Sequence, residues 1–114
     1  MGAFVISKRF NGEYKFVFTS RKGKVIFTSL GYALKKDCEL GVERVKEKVT
    51  TSTYMRIKAP NGKFFFKLLQ SEEVVAISRK YSTELRLQKG IDEIIRDANK
   101  AEVLDFSEND FVFA

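Results

Sequence analysis

Apolar and polar side chains alternate with a period of two in two stretches of the chain, residues 13–20 and 63–70. The apolar positions on one face are Tyr14, Phe16 and Phe18 in the first stretch and Phe64, Phe66 and Leu68 in the second. Such alternation is typical of a strand with one face on a core. Each stretch is followed by a short β-prone run, VIFTS at 25–29 and VVAIS at 74–78, which predicts a further strand in each half.

The period then becomes helical in both halves. The predicted apolar stripes are Cys38, Val42, Val45 and Val49 in the first helix, and Leu87, Ile91, Ile94, Ile95 and Ala98 in the second. Ser82 or Thr83 is expected to cap the second helix. Gly41 and Gly90 lie inside these helices, where each costs about 1 kcal/mol relative to Ala. We therefore expect both glycines to lie where the helix packs closely against another element.

The two halves resemble each other in order. NGEYKFVF at 11–18 aligns with NGKFFFKL at 61–68 at an offset of 50, and SLGY at 29–32 aligns with SRKY at 78–81 at an offset of 49. The change of offset places a one-residue deletion in the intervening turn, where length changes are tolerated. Each Asn-Gly pair predicts a hairpin in which both residues accept a positive φ.

These elements predict an α+β fold. We expect one domain over residues 1–114, made of two βββαβ repeats at about 3–52 and 53–106, with a C-terminal extension at 107–114. The repeats are expected to form one shared antiparallel sheet with both helices on one face and pseudo-twofold symmetry. The predicted core comprises Phe4, Tyr14, Phe16, Phe18, Val42, Val45, Phe64, Phe66, Leu68, Ile91 and Ile94.

The pattern NG-x-[YF]-x-F, a turn, a β run ending in S-x-x-Y and a helix with an internal glycine resembles the YegP-like bacterial family. The residues that carry the resemblance are Asn11, Gly12, Phe16, Ser29, Tyr32 and Gly41, with Asn61, Gly62, Phe66, Ser78, Tyr81 and Gly90. The resemblance implies paired βββαβ units whose terminal strands are exchanged. It implies no catalytic residues, because the function of that family is unassigned.

The amino-acid composition limits the kinds of chemical site that the chain can form. The chain has no His and one cysteine, Cys38, so neither an intrachain disulfide nor a Cys/His metal cluster can form. We expect Cys38 to be a small buried hydrophobe, and we predict neither an enzyme nor a metal or cofactor site. The segment MGAFVISKRF lacks the features of a signal peptide, and no apolar run approaches the ~20 residues of a membrane span, which predicts a cytoplasmic protein.

Two serine–tyrosine pairs recur, Ser29 with Tyr32 and Ser78 with Tyr81. One interpretation is a polar site at the junction of strand and helix. The other is architectural: the tyrosine ring packs under the helix and its hydroxyl satisfies a backbone group.

The net charge of +6 is uneven, because residues 1–60 carry +8 and residues 61–114 carry −2. The candidate contacts for an anion or single-stranded nucleic acid are Lys8, Arg9, Lys15, Arg21, Lys22, Lys24 and Lys67. On the outer face of the sheet, Phe65 and Leu69 predict an apolar surface for a protein partner, unless a homodimer mate or the C-terminal strand covers it. The leading hypothesis is a non-catalytic binding or protein-interaction module, and nucleic-acid binding is the alternative.

Overall fold

The computed structural model describes residues 2–107 as one seven-stranded sheet and two helices. The elements are β1 (Ala3–Lys8), β2 (Tyr14–Thr19), β3 (Val25–Ser29), α1 (Lys35–Glu47), β4 (Thr53–Lys58), β5 (Phe64–Gln70), β6 (Glu73–Ser78), α2 (Glu84–Asp97) and β7 (Glu102–Asp105). A single 3₁₀ turn, Ala98–Lys100, precedes β7. The predicted α+β class is confirmed. Residues 108–114, most of the predicted C-terminal extension, lie outside the described part of the chain.

The strand order is β4-β5-β6-β3-β2-β1-β7, so the two halves meet where β3 pairs antiparallel with β6. The prediction of a wholly antiparallel sheet is wrong at one edge, because β7 pairs parallel with β1. The chain reaches β7 from α2, and that crossover leaves the strand running in the same direction as β1.

The predicted βββαβ unit with exchanged strands holds for the second half only. Residues 48–52 after α1 form turns, and the next strand, β4, pairs with β5 of its own half. In contrast, β7 leaves the second half and pairs with β1 of the first. One strand is therefore exchanged, where a reciprocal exchange was expected.

Both helices pack on one face of the sheet, and a single cluster of buried side chains joins them to the strands. Nine of the eleven predicted core residues are buried, but Tyr14 and Phe64 are only partly so. The predicted apolar stripe of α2 is wrong at Ile95, which is 38% exposed. Thr83 is the cap of α2, and its hydroxyl accepts a hydrogen bond from the Arg86 backbone N–H.

The Asn-Gly pairs form the two predicted hairpins, each with a three-residue loop. Only the glycines have positive φ, 86° at Gly12 and 83° at Gly62. In each loop the asparagine side chain instead accepts a hydrogen bond from the backbone two residues on, Asn11 from Glu13 and Asn61 from Lys63. This is a type I turn followed by a left-handed glycine.

The turn in which the alignment places a deletion does differ in length between the halves. In the first half, a three-residue loop, 21–23, lies between Ser20 and Lys24, whose backbone groups are hydrogen-bonded, and Gly23 has a φ of 83°. In the second half, only Ser71 and Glu72 connect β5 to β6, and both have positive φ. The two-residue connection is thus the tight primed turn that suits a hairpin.

Candidate binding surfaces

The hydroxyl groups of the two repeated serines form hydrogen bonds with backbone groups. The Ser29 hydroxyl accepts a hydrogen bond from the Phe16 N–H (2.9 Å) and donates one to the Leu30 carbonyl (2.8 Å). The Ser78 hydroxyl makes the same pair of bonds, with Phe66 (2.9 Å) and Arg79 (2.7 Å). Both hydroxyls are buried and committed to backbone groups, so these serines have a structural role in the sheet.

The repeated tyrosines explain the glycines inside the helices. The Tyr32 hydroxyl and the Phe16 ring lie so close to Gly41 that a Cβ there would be 2.5 Å and 3.1 Å from them. The Tyr81 hydroxyl blocks the equivalent position at Gly90. Burial raises the pKa of both tyrosines. The close approach expected at these glycines is therefore made by a tyrosine hydroxyl under each helix.

Cys38 is fully buried on α1, as expected. Burial, together with the nearby carboxylates of Glu39 and Asp105, raises the pKa of its thiol to about 11. A thiol with that pKa is almost entirely protonated at neutral pH, so it is a poor nucleophile.

The outer face of the sheet, opposite the helices, carries one continuous row of paired side chains. Strand pairing aligns Met55, Lys67, Ile77, Thr28, Val17, Val5 and Leu104 across all seven strands. With strands about 4.8 Å apart, the row spans about 29 Å. Met55 is 44% exposed and Ile77 38% exposed. We call this set the outer row.

The predicted interaction residues Phe65 and Leu69 flank the outer row on β5, and both are half-buried. Phe65 pairs with Ile57 and Leu69 with Thr53 on the neighbouring strand. Phe65 and Leu69 therefore extend the apolar surface beside the outer row in the second half.

The seven predicted basic contacts do not form one surface. Three of them, Lys8, Arg9 and Lys15, lie around the β1–β2 loop. Arg21, Lys22 and Lys24 lie at the opposite end of β2, and Lys67 lies within the outer row.

Phe10, at the tip of the β1–β2 loop, is fully exposed and directly follows Lys8 and Arg9 in the chain. The equivalent position in the second half is Pro60. A phenylalanine is not required by the turn, since its first central position suits proline best.

A more basic site was missed in the sequence. Lys24 lies in a concave pocket with Lys63, Arg79, Lys80, Arg86 and Lys89, and these six cations face one carboxylate, Glu93. Five of the six come from the half whose net charge is negative, so summing charge over each half concealed them. The available signal was local. Arg79 and Lys80 directly precede Tyr81, and Arg86 and Lys89 follow on the first turns of α2.

Among residues 2–107 no cluster of three or more His, Cys, Asp or Glu side chains could hold a metal ion. Neither helix of that part of the chain is long and apolar enough to cross a membrane.

Comparison with known proteins identifies relatives along nearly the whole chain. The family model of the domain of unknown function DUF1508 matches twice, at residues 11–54 and 59–105. A UPF0339 protein of Acinetobacter baylyi is 32% identical over 108 residues, which cover 93% of this chain and 97% of that protein. The UPF0339 protein YegP of Escherichia coli is 28% identical over 106 residues, covering 91% and 96%.

Two solution NMR structures share the fold. The structure of the Escherichia coli protein of unknown function YegP superposes with a TM-score of 0.86 at 28% identity and covers 94% of each chain. A UPF0339 protein of Shewanella oneidensis also has a TM-score of 0.86, at 27% identity, with 93% of this chain and 92% of that chain covered. The resemblance to the YegP-like family is thereby confirmed.

Proposed function

The chain belongs to the family of the domain of unknown function DUF1508, and we propose that it is a non-catalytic protein-binding module. The observation that carries the proposal is the outer row, an uninterrupted line of aligned side chains across seven strands. A sheet whose second face is exposed usually alternates apolar-in and polar-out. Here five of the seven positions facing outward are aliphatic or Met, which is typical of a contact surface.

The charges on this face define the chemistry of the partner. Lys67 lies within the outer row and Lys15 beside it, and no carboxylate of residues 2–107 forms an ion pair with either. Among the strands that the structure describes, the one acidic residue on this face is Glu102, which lies at the β7 edge and pairs with Ala3. A partner segment with aliphatic side chains and carboxylates would complement both features.

A second copy of the chain fits this face less well. If two outer faces stacked, the Lys67 ammonium group would be buried against aliphatic side chains or against Lys15, which costs free energy when no carboxylate pairs with it. Single-stranded nucleic acid also fits it less well, because stacking of bases needs aromatic rings and Phe65 is the one aromatic residue on the outward positions of the described strands. These two comparisons favour an acidic and apolar protein segment.

We also infer that the two halves, at about 3–52 and 53–106, are copies of one unit. The order βββα occurs twice, and the serine bonds, the tyrosine–glycine contacts and the three-residue loops recur at offsets of 49 or 50. Together these form one domain with one hydrophobic cluster.

The proposal is tested by selecting binders to the purified chain from a random peptide library and measuring affinity by calorimetry. We expect the selected peptides to combine aliphatic and acidic residues. Ile77→Glu should weaken their binding at least tenfold, because it places a carboxylate at the centre of the outer row. Lys67→Glu should shift the selection toward basic peptides.

The matched control is Leu85→Glu, which changes an equally apolar side chain, 67% exposed, on α2. It should leave peptide binding unchanged. The proposal fails if no peptide is enriched, or if Ile77→Glu and Leu85→Glu affect the selected peptides equally.

A second candidate function is binding of single-stranded nucleic acid at the tip of the β1–β2 loop. It is favoured by the fully exposed Phe10 beside Lys8, Arg9 and Lys15, because an exposed ring and nearby cations provide base stacking and phosphate contacts. This site is separate from the outer row.

Phe10→Pro tests it cleanly, because Pro60 already occupies the equivalent turn position. Fluorescence anisotropy with a labelled single-stranded oligonucleotide should show binding that weakens steeply with salt, with log K falling about 0.7 per phosphate contact. Phe10→Pro should weaken it by tenfold or more. Binding that is unaffected by this substitution would exclude the loop tip as the site.

A further inference from the structure

A concave pocket of about 400 Å³ lies between α2 of the second half and the β2–β3 hairpin of the first. A bulge in β3 at the register shift beside Thr19 lets both Ile26 and Phe27 face the core, and Ile26 forms part of the pocket wall. Tyr81 and Gly90 also line it. The pocket is thus built jointly by the two halves.

Six cationic side chains surround this pocket: Lys24, Lys63, Arg79, Lys80, Arg86 and Lys89. All six are exposed, and none forms an ion pair with a carboxylate of residues 2–107. The single acidic side chain, Glu93, accepts a hydrogen bond from the Arg21 backbone N–H at 3.3 Å. Mutual repulsion among six unpaired cations destabilises the free protein, so the cluster is not explained by stability.

The other half supplies an internal comparison. An equivalent pocket of about 690 Å³ lies between α1 and the β5–β6 hairpin, and its charged lining residues are Asp37, Arg44, Lys48 and Glu73. Two cations there face two carboxylates. The same fold therefore forms this kind of pocket without any excess of positive charge.

The corresponding positions show which charges the fold does not require. At an offset of 49, the basic residues Lys24, Arg79, Arg86 and Lys89 correspond to Glu73, Leu30, Asp37 and Leu40. Acidic and apolar residues thus occupy the same positions in the other half. The positive charges are a property of this one pocket and point to an anion.

We propose that this pocket binds a small soluble ligand that carries two or more adjacent phosphate groups. Six cations match the several negative charges of such a ligand, and guanidinium groups such as Arg79 and Arg86 bind phosphate oxygens with two parallel hydrogen bonds. Arg79 lies over the Tyr81 ring, 5.4 Å from its centroid, so that its guanidinium is already held at the pocket. The hydroxyls of Ser20 and Ser82 add neutral donors.

The shape favours a small ligand over a nucleic-acid strand. A bound strand requires a basic groove that follows its backbone. Here the cations converge on one concavity, and α2 carries the carboxylates Asp92 and Glu93 after Lys89, so the basic surface does not continue along the helix. The pocket is also separate from the outer row, because it lies on the helix side of the sheet.

The test uses inorganic tripolyphosphate as the probe, titrated calorimetrically into the full chain at 50 mM and 200 mM NaCl. We expect saturable binding with one site, weaker at the higher salt concentration. Orthophosphate should bind at least tenfold more weakly. A nucleoside triphosphate that binds more tightly than tripolyphosphate would identify a nucleotide as the source of the phosphates, and equal affinity would identify polyphosphate.

The variants exchange residues between the two pockets. Arg86→Asp with Lys89→Leu gives this pocket the residues of its counterpart and should weaken tripolyphosphate binding at least tenfold. Asp37→Arg with Leu40→Lys, the reverse exchange in the α1 pocket, should create a second, weaker site. Both pairs are exposed, and each substituted residue already occupies the equivalent position of the chain.

Circular dichroism checks the fold of each variant, and Lys89→Gln replaces the double variant if that one does not fold. No binding of tripolyphosphate at 50 mM NaCl, or equal binding by the wild type and the Arg86→Asp, Lys89→Leu variant, would overturn the proposal. Tighter binding of a single-stranded oligonucleotide through the same residues would also overturn it. Ile77→Glu in the outer row should leave this binding unchanged, so the two proposals fail separately.

Discussion

Gly90 and Tyr81 form a contact in which the absence of one side chain makes room for another. The Tyr81 hydroxyl lies against α2 where a Cβ of residue 90 would project, and the ring carbon Cζ is 3.0 Å from that point. Glycine at residue 90 lowers the helix propensity of α2 by about 1 kcal/mol relative to Ala. A side chain at residue 90 would therefore force the Tyr81 ring or the helix to shift.

We therefore predict that Gly90→Ala lowers the free energy of unfolding by about 1 kcal/mol, because overpacking outweighs the gain in helix propensity. In a Tyr81→Phe background the same change should be close to neutral. Urea unfolding followed by circular dichroism measures all four proteins. An equal loss in both backgrounds would show that the hydroxyl is not what requires the glycine.

Glu72 has a left-handed backbone conformation, with φ 66°, in the two-residue turn between β5 and β6. Such a conformation costs a residue with a side chain roughly 1–2 kcal/mol, and glycine avoids that cost. We predict that Glu72→Gly raises the free energy of unfolding by about 1 kcal/mol. Lys22→Gly in the longer turn is the control, and no gain is expected because Lys22 does not have a positive φ. A gain in both variants, or in neither, would contradict the prediction.

At the scale of elements, β7 is the short edge strand that joins the end of the second half to the first. Four residue pairs hold it parallel to β1. Asp105 adds an ion pair to Lys35 of α1 at 2.6 Å and accepts hydrogen bonds from the backbone N–H and the hydroxyl of Ser107. The strand is therefore fixed both to the sheet and to a helix.

The pKa of Asp105 gives this attachment a pH dependence. Burial raises that pKa, but hydrogen bonds from Lys35 and Ser107 outweigh it, and the net shift is downward. A carboxyl group whose pKa is lower in the folded state stabilises the protein above its unfolded pKa of about 3.9, and this stabilisation is lost as the pH falls through the folded pKa.

We predict that Asp105→Asn lowers the free energy of unfolding at pH 7 by up to about 1 kcal/mol, since the pair is one-third exposed and partly screened. The difference between variant and wild type should vanish near pH 2. Urea unfolding at both pH values measures it. A difference that persists unchanged at pH 2 would show that the ionised carboxylate is not the source of the stabilisation.

At the scale of the whole molecule, the two halves share one sheet and one hydrophobic cluster. The join is β3 against β6, with Phe27 opposite Ser78 and Thr28 opposite Ile77. Phe27 is fully buried in the common cluster. A half chain would expose this strand edge and much of its core.

We predict that residues 2–52 alone do not unfold cooperatively as a monomer, because the isolated half lacks the partner of β3 and buries too little surface. Circular dichroism during urea titration, with light scattering to measure mass, tests this. The full chain measured in parallel is the control. A monomeric half chain with a cooperative transition would contradict the prediction.

Much of the architecture could be predicted from particular residues. Phe16, Phe18, Phe66 and Leu68 identified the buried face of two strands because side chains in a strand alternate between faces. The internal match at offsets of 50 and 49 located the turn whose length differs. One error arose where tertiary pairing decides: β7 runs parallel to β1, and a local pattern does not specify which strand is the partner.

The sequence by itself determined most of the buried face of the strands and helices, and that the two halves follow one pattern, because solvent exclusion acts locally on periodic positions. Only the tertiary structure decided how residues distant along the chain meet. It brought the aligned residues of seven strands into the outer row and divided the predicted cations among three places. It also brought five other cations together with Lys24 around one pocket. The physical reason is that strand register and helix packing set these distances, and neither is encoded in the order of charges along the chain.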